Sequence, residues 1–186
     1  MPLWIIYHPP NTFTSLPDKT ALANEITKLY TIVGLPRFYV NVLFQPIQPE
    51  SFFIGGVPRP SPNSEANKPG RDSSVSMIRI KMEHLARQLY LHPYVHLSWK
   101  YVLTHENSTS LEHKHRFMDA VDKALKPFIA DKGYDWEYSC EDVDRDLWKV
   151  NGMVPPMPGT DAEKEWAEKN VAVPFSAEKG GLAGKL

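Results

Sequence analysis

The second residue of the chain, Pro2, has both the type and the position for acid–base chemistry. An initiator methionine before a small residue such as proline is commonly removed, and the chain would then begin with a free secondary amine. Burial among the apolar residues that follow would disfavour the charged form of this amine and lower its pKa. A base whose pKa lies near neutrality is suited to proton transfer. The alternative is a proline that only begins a strand.

The histidines and the single cysteine predict less chemistry. His84 could turn toward a site at Pro2, or it could be a structural hydrogen-bonding residue. His113 and His115 are two residues apart on a predicted helix, so they do not share a face. Because no HExxH or paired CxxC spacing is present either, we expect no metal and no cofactor. Cys140 is interpreted as a small buried hydrophobe.

The composition narrows the class of protein. Lys and Arg total 21 and Asp and Glu total 22, so charge gives no reason to expect nucleic acid or an anionic membrane as a partner. A single cysteine excludes an intramolecular disulfide and favours the reducing cytoplasm. No apolar run is long enough to predict a membrane span. The final residues 184–186, Gly-Lys-Leu, leave a peroxisomal location as a weak alternative.

The first half of the chain is predicted to form a strand, a helix and a second strand. The apolar run at residues 3–8 is typical of a strand buried in a sheet. Ser15 can cap a helix, and after that helix a second strand is predicted at 38–45. This first βαβ unit covers residues 2–57, and a loop rich in Pro, Ser and Asn follows at 58–74.

The second half repeats the pattern. We predict a strand at 75–82, a helix from about Ser110 and a strand at 134–140, within a unit spanning 75–152. The fold class is therefore α/β (α+β), in which two successive βαβ units form a mixed four-stranded sheet with two helices on one face.

Two segments do not belong to the repeat. Residues 89–108 form an aromatic and histidine-rich insertion, for which a lid, an intersubunit arm and an inert surface insertion are the alternatives. Thr160 and Glu163 have the spacing of a capping box and predict a short helix. We expect a single domain over 1–170 and an extended C-terminal tail over 171–186.

Several segments, taken in order, resemble the tautomerase superfamily. The resemblance is closest to the cis-3-chloroacrylic acid dehalogenase-like members and to fungal oxalocrotonate tautomerase-like proteins. The matching segments are Pro2-Leu-Trp-Ile-Ile-Tyr, Ala23-Asn-Glu-Ile-Thr-Lys-Leu-Tyr, Val40-Asn-Val-Leu-Phe-Gln, Phe53-Ile-Gly-Gly, His84-Leu-Ala-Arg, Tyr134-Asp-Trp-Glu-Tyr and Arg145-Asp-Leu-Trp-Lys-Val-Asn-Gly. The resemblance implies a homotrimer that acts on small 2-oxo, enol or unsaturated acids.

The resemblance also implies roles for individual residues. Pro2 matches the catalytic proline, and Arg87 matches an arginine that holds the substrate carboxylate. Tyr30 stands where the dehalogenases have a histidine, and Tyr138 matches their tyrosine. The water-activating glutamate of the dehalogenases falls near Val150 or Asn151, where this chain has no carboxylate, and their second arginine has no counterpart just after Arg87.

These residues predict a tautomerase-like enzyme that uses the Pro2 amine for proton transfer on a small carboxylate substrate. A hydrolytic cis-3-haloacrylate dehalogenase and a β-keto-acid decarboxylase are the enzymatic alternatives. The absent glutamate and the absent second arginine favour another alternative, a non-catalytic binding protein on the same fold.

Overall fold

The computed structural model describes residues 1–85 and 110–183 of the chain. They form a mixed four-stranded sheet, a two-stranded hairpin and three helices. The elements are β1 (Leu3–His8), α1 (Leu16–Thr31), β2 (Asn41–Pro46), β3 (Phe53–Ile54), β4 (Val57–Pro58), β5 (Met77–His84), α2 (Ser110–Leu125), β6 (Asp135–Asp142) and α3 (Asp161–Lys169).

The large sheet has the strand order β2-β1-β5-β6. β1 pairs with β2 in parallel, and β5 pairs with β6 in parallel, because a helix connects the two strands of each pair. β1 and β5 are antiparallel, with Leu3 opposite Glu83. The prediction of two βαβ units in a mixed four-stranded sheet is confirmed.

One face of the sheet carries the hydrophobic core. The alternating residues Trp4 and Ile6 of β1 are fully buried, as are Ile80 and Met82 of β5. They pack against the apolar stripes of α1 and α2, whose buried members are Leu22, Ile26, Tyr30, Phe117, Val121 and Leu125. Every second residue of the strands and every third or fourth residue of the helices therefore pack together in one core.

The opposite face of the sheet is divided into an apolar half and a charged half. Leu3, Ile5 and Tyr7 of β1 are half-buried there, and Leu43 of β2 is 51% exposed. We call these four residues the open apolar face. The other half carries ion pairs between β5 and β6: Arg79–Glu137 at 3.3 Å and Lys81–Glu141 at 3.4 Å.

The helix caps predicted from sequence are present. The Ser15 hydroxyl accepts a hydrogen bond from the Asp18 amide at 3.2 Å and begins α1. The Thr160 hydroxyl accepts one from the Glu163 amide at 3.4 Å and begins α3. The first four backbone amides of a helix have no partner within the helix, and in both caps a side-chain oxygen accepts a hydrogen bond from one of them.

Two segments differ from the sequence-based expectation. Residues 37–39 form a 3₁₀ turn rather than the start of β2, and this turn buries Tyr39 between Trp148 and Trp166. The C-terminal tail, which we expected to be extended, is folded back over its described residues, up to residue 183. It folds back because the Leu182 amide donates to the Ala177 carbonyl at 2.8 Å and the Leu182 side chain is buried.

Candidate active site

The start of the chain lies in a buried position at one end of the sheet. Pro2 is buried, and its carbonyl accepts a hydrogen bond from the Asn41 amide at 2.9 Å. Because Leu3 is opposite Glu83, Pro2 comes opposite His84 when the antiparallel register is continued by one residue. Opposed residues share a face, with Cβ atoms about 5 Å apart. Pro2 and His84 are therefore neighbours on the core face.

The amino terminus is in an environment that disfavours its charge. Burial, and then the positive charge of Arg145, lower the pKa of the Met1 amino group from 8.0 to about 4. An amine in this place is a free base at neutral pH. Pro2, the residue that follows Met1, is itself buried.

Arg145 is held in place by the segment that follows β6. Arg145 begins a 3₁₀ turn at Arg145–Leu147, in which the Asp146 amide donates to the Asp144 side chain at 2.9 Å. One guanidinium nitrogen, Nη2, donates to the carbonyls of Pro155 and Pro156 at 2.8 and 2.5 Å. The guanidinium also lies 5.5 Å from the centre of the Trp148 ring. These contacts hold a permanent cation close to the chain start.

Three buried side chains form a hydrogen-bonded chain behind the amine. Trp4 Nε1 donates to Tyr30 Oη at 2.8 Å, and Tyr30 Oη lies 2.8 Å from His84 Nε2. Burial, and then the nearby amino-terminal charge, lower the pKa of His84 to about 4. His84 is therefore neutral at physiological pH.

β6 adds two further groups. Asp142 is in register with His84 and therefore lies on the same face. Cys140 comes two residues earlier, and burial followed by the charges of Asp142 and Glu141 raises the pKa of its thiol to about 12. A thiol with this pKa is not a thiolate nucleophile at neutral pH. Asp142 adds a carboxylate on the strand next to His84.

A comparison with models of protein families identifies the family of this chain. The model of the family described as "Putative oxalocrotonate tautomerase enzyme" matches residues 1–97 and 93–171. The chain belongs to this tautomerase family. The resemblance to the tautomerase superfamily is thereby confirmed. None of the curated proteins matches the chain.

Solved structures agree with the family assignment. RhCC from Rhodococcus jostii RHA1 is 33% identical, with a TM-score of 0.71, over 93% of this chain and 99% of that chain. A protein of the thermophilic fungus Aspergillus fumigatus is 34% identical, with a TM-score of 0.70, over 94% of this chain and 98% of that chain. A fused 4-OT trimer shares the fold at 12% identity and a TM-score of 0.50, over 82% of this chain and 94% of that chain.

Of the site residues predicted for this tautomerase-family chain, the structure brings together Pro2, Tyr30 and His84. Tyr138 lies elsewhere: it is in register with Ile80, which is opposite Ile6, four residues along β1 from Pro2. Four residues of strand span about 13 Å. The Tyr138 hydroxyl donates to Asp122 of α2 at 2.5 Å, and burial, then this contact, raises the pKa of Tyr138.

Asn151 is exposed in a tight turn. Asn151 and Gly152 have φ values of 49° and 80°, and Val150 and Met153 pair on either side of them. Two successive positive φ angles are typical of an Asn-Gly hairpin turn. In this chain Asn151 therefore shapes the backbone of the segment that carries Arg145.

Arg87 and the insertion at 89–108 lie outside the described residues. Sequence reasoning assigned no function to Arg145, Trp148 or Asp142. Arg145 and Trp148 could have been recognised from the segment Arg145-Asp-Leu-Trp, because that segment carries part of the family resemblance. Asp142 had no signal, because only the strand register shows that it lies beside His84.

The described residues contain no group of three or more His, Cys, Asp or Glu side chains placed to hold a metal ion. Within residues 1–85 and 110–183, no helix combines the length and apolarity that a membrane crossing requires.

Proposed function

We propose that this chain, once Met1 is removed, is a tautomerase whose Pro2 amine transfers a proton between the keto and enol forms of a small 2-oxo acid. The observation that carries the proposal is the buried chain start. Pro2 is buried beside the neutral His84, and burial together with the cationic Arg145 lowers the pKa of the amino group of the preceding Met1.

The proposed reaction begins with the neutral amine. Its lone pair takes a proton from the carbon next to the substrate carbonyl, the carbon–hydrogen bond breaks, and the electron pair forms the enolate. The ammonium then returns the proton to the enolate oxygen or to carbon. No atom is lost or gained, so the sequence interconverts two tautomers.

The substrate carboxylate needs a positive partner in this site. Arg145 provides one close to the amine, and its charge also disfavours protonation of the amine. Arg87 is proposed as the second clamp, because a guanidinium can hold a carboxylate through two parallel hydrogen bonds. His84 is proposed to bind the substrate, and Tyr30 to act through His84, which its hydroxyl contacts. The resemblance implies a catalytic role for Tyr138 as well, but Tyr138 lies four residues along the sheet from Pro2, so this reaction assigns it no step.

Replacing the proline tests this proposal. Pro2→Ala leaves a primary amine of different basicity and geometry, and we expect kcat/KM for keto–enol conversion of a 2-oxo acid to fall at least about 100-fold. Spectrophotometric assays over a panel of 2-oxo acids measure this. Pro10→Ala, at an exposed proline just after β1, is the matched control.

The mass of the intact protein is measured in parallel. The proposal expects the purified chain to lack one methionine residue. A retained Met1, or unchanged turnover in Pro2→Ala, contradicts the proposal and favours the non-catalytic binding protein.

A second candidate function is hydrolytic dehalogenation of a cis-3-haloacrylate, which Asp142 favours. Position 151 carries no carboxylate, but Asp142 is the register partner of His84 on the neighbouring strand, and this reaction would use its carboxylate to activate water. Halide release from a haloacrylate, lost in Asp142→Asn, would support this reaction. Keto–enol conversion without halide release would support the tautomerase.

We also propose that the chain assembles as a homotrimer, as its resemblance to the superfamily implies and as the similar fused 4-OT chains do. The open apolar face supports this, because Leu3, Ile5 and Tyr7 of the central strand β1 and Leu43 of the edge strand β2 form an apolar surface on the side of the sheet away from α1 and α2. Contact with another copy would remove that surface from water.

A further inference from the structure

The hydrogen-bonded chain behind the amine has a defined direction. Trp4 is fully buried, and its indole nitrogen can only donate, so Tyr30 Oη is the acceptor of this bond. The other contact of Tyr30 Oη is His84 Nε2 at 2.8 Å. Within residues 1–85 and 110–183 the hydroxyl has no further acceptor. Among these residues, His84 Nε2 is therefore the acceptor for its proton.

The protonation of Tyr30 agrees with this direction. Burial raises the pKa of Tyr30 well above its ordinary value of 10.0, so the hydroxyl keeps its proton at every physiological pH. A nitrogen that accepts a hydrogen bond carries no proton of its own. The one ring proton of neutral His84 is consequently on Nδ1.

Within residues 1–85 and 110–183, the groups that face His84 come from α1, α2, β6 and the chain start. α1 contributes Tyr30, and α2 contributes the ring of Phe117, whose centre is 4.6 Å from that of His84. The amino terminus adds a positive charge when it is protonated. β6 contributes Asp142, in register with His84, and the thiol of Cys140 two residues away. Arg145 adds its cation at the amino terminus.

We infer that Trp4 and Tyr30 are positioning residues, which hold His84 as a neutral imidazole protonated on Nδ1 beside the Pro2 amine. The inference rests on the proposed function for its catalytic meaning. A neutral donor next to the amine allows the amine to become an ammonium during the reaction, whereas an imidazolium in the same place would oppose that charge.

Two-bond ¹H–¹⁵N correlation spectra of the processed protein test this state directly. The two nitrogens of a neutral imidazole differ strongly in ¹⁵N shift, and the protonated nitrogen identifies the tautomer. His84→Gln assigns the signal among the seven histidines of the chain. We expect Nδ1 to carry the proton at pH 7 and the signal to show no titration down to about pH 5. A proton on Nε2, or an imidazolium at pH 7, would overturn the inference.

Tyr30→Phe removes the donor while keeping the ring. A bond to the neutral form of histidine disfavours its charged form, so we expect the His84 pKa to rise by on the order of one unit in this variant. We also expect a mixture of tautomers. The acid limb of the kcat/KM profile should move to higher pH by a similar amount. Tyr134→Phe, at a half-buried tyrosine just before β6 and at the opposite end of that strand from Asp142, is the matched control.

The outcomes separate this inference from the proposed function. An unchanged tautomer and an unchanged pH profile in Tyr30→Phe would overturn it. If Tyr30→Phe does not fold, the wild-type spectrum alone still decides the tautomer. A protein with the Nδ1 tautomer but no tautomerase activity on any 2-oxo acid would contradict the proposed function and leave the state of His84 established.

Discussion

At the residue scale, Arg145 is the cation that the structure adds to the site. Its guanidinium is fixed by the carbonyls of Pro155 and Pro156 and by the ring of Trp148. Because the guanidinium is already held in place, its side chain loses little conformational entropy when a substrate binds. This is the advantage of a preorganised site. The sequence assigned the substrate carboxylate to one arginine, Arg87. With Arg145 added, we propose that two arginines hold it, and of these Arg145 lies among the described residues.

Arg145→Ala is expected to weaken the binding of carboxylate substrates. Loss of one charge-assisted contact costs about 1.5–3 kcal/mol, so KM should rise roughly ten- to hundredfold. The amine pKa should also rise, because the neighbouring positive charge lowers it in the wild-type protein.

Steady-state kinetics across pH measures both effects of this substitution. Arg37→Ala, at an exposed arginine before β2, is the control. Unmoved Michaelis constants for every anionic substrate would remove Arg145 from the binding site.

At the element scale, the sheet has two faces with different partners. α1 and α2 cover the core face, and the open apolar face has no such cover among the described residues. β1 lies between β2 and β5, so its odd-numbered residues lie at the middle of this surface. A central strand that is apolar on both sides is typical of a strand buried on both sides in the working assembly.

Leu43→Asp is expected to dissociate the proposed trimer. A carboxylate on the open apolar face would lose its hydration on assembly without gaining a partner. Light scattering after size exclusion should give three times the 21.2 kDa chain mass for the wild type and the single chain mass for the variant.

Leu16→Asp serves as the control for this experiment, since Leu16 is 76% exposed on the helical layer. A wild-type chain that is monomeric at micromolar concentration would contradict the trimer. So would a Leu43→Asp variant that stays trimeric.

At the scale of the whole molecule, the buried His84 links stability to pH. Its pKa is about 4 in the folded chain and 6.5 in the unfolded chain. Between these values the unfolded chain binds a proton that the folded chain does not, so acid favours unfolding. The free energy of unfolding is therefore undiminished above pH 6.5 and decreases as the pH falls toward 4.

The expected decrease from His84 is about 2 kcal/mol between pH 7 and pH 5. Urea unfolding at fixed protein concentration measures it. His84→Gln should reduce the difference between the two pH values by about that amount. His115→Gln, at an exposed histidine, should leave the difference unchanged. Equal pH dependence in the wild type and His84→Gln would contradict the charge state assigned to His84.

The sequence by itself determined what depends on near neighbours in the chain. Alternation placed Trp4 and Ile6 on one face of β1, and Ser15 and Thr160 marked helix starts, because strand faces and caps are set within a few residues. The family resemblance and Pro2 at the start of a strand were also visible without coordinates. An Asn-Gly pair such as Asn151-Gly152 predicts a turn in the same local way.

Only the tertiary structure decided which distant residues meet at the chain start. Tyr30 and His84 are 54 residues apart, and Arg145 comes from the segment beyond the last strand of the sheet. The strand register places His84 and Asp142 beside Pro2 along the sheet. It places Tyr138 four residues away from Pro2. Residue types state what chemistry is available, but distances between remote side chains follow from how strands pair and helices pack.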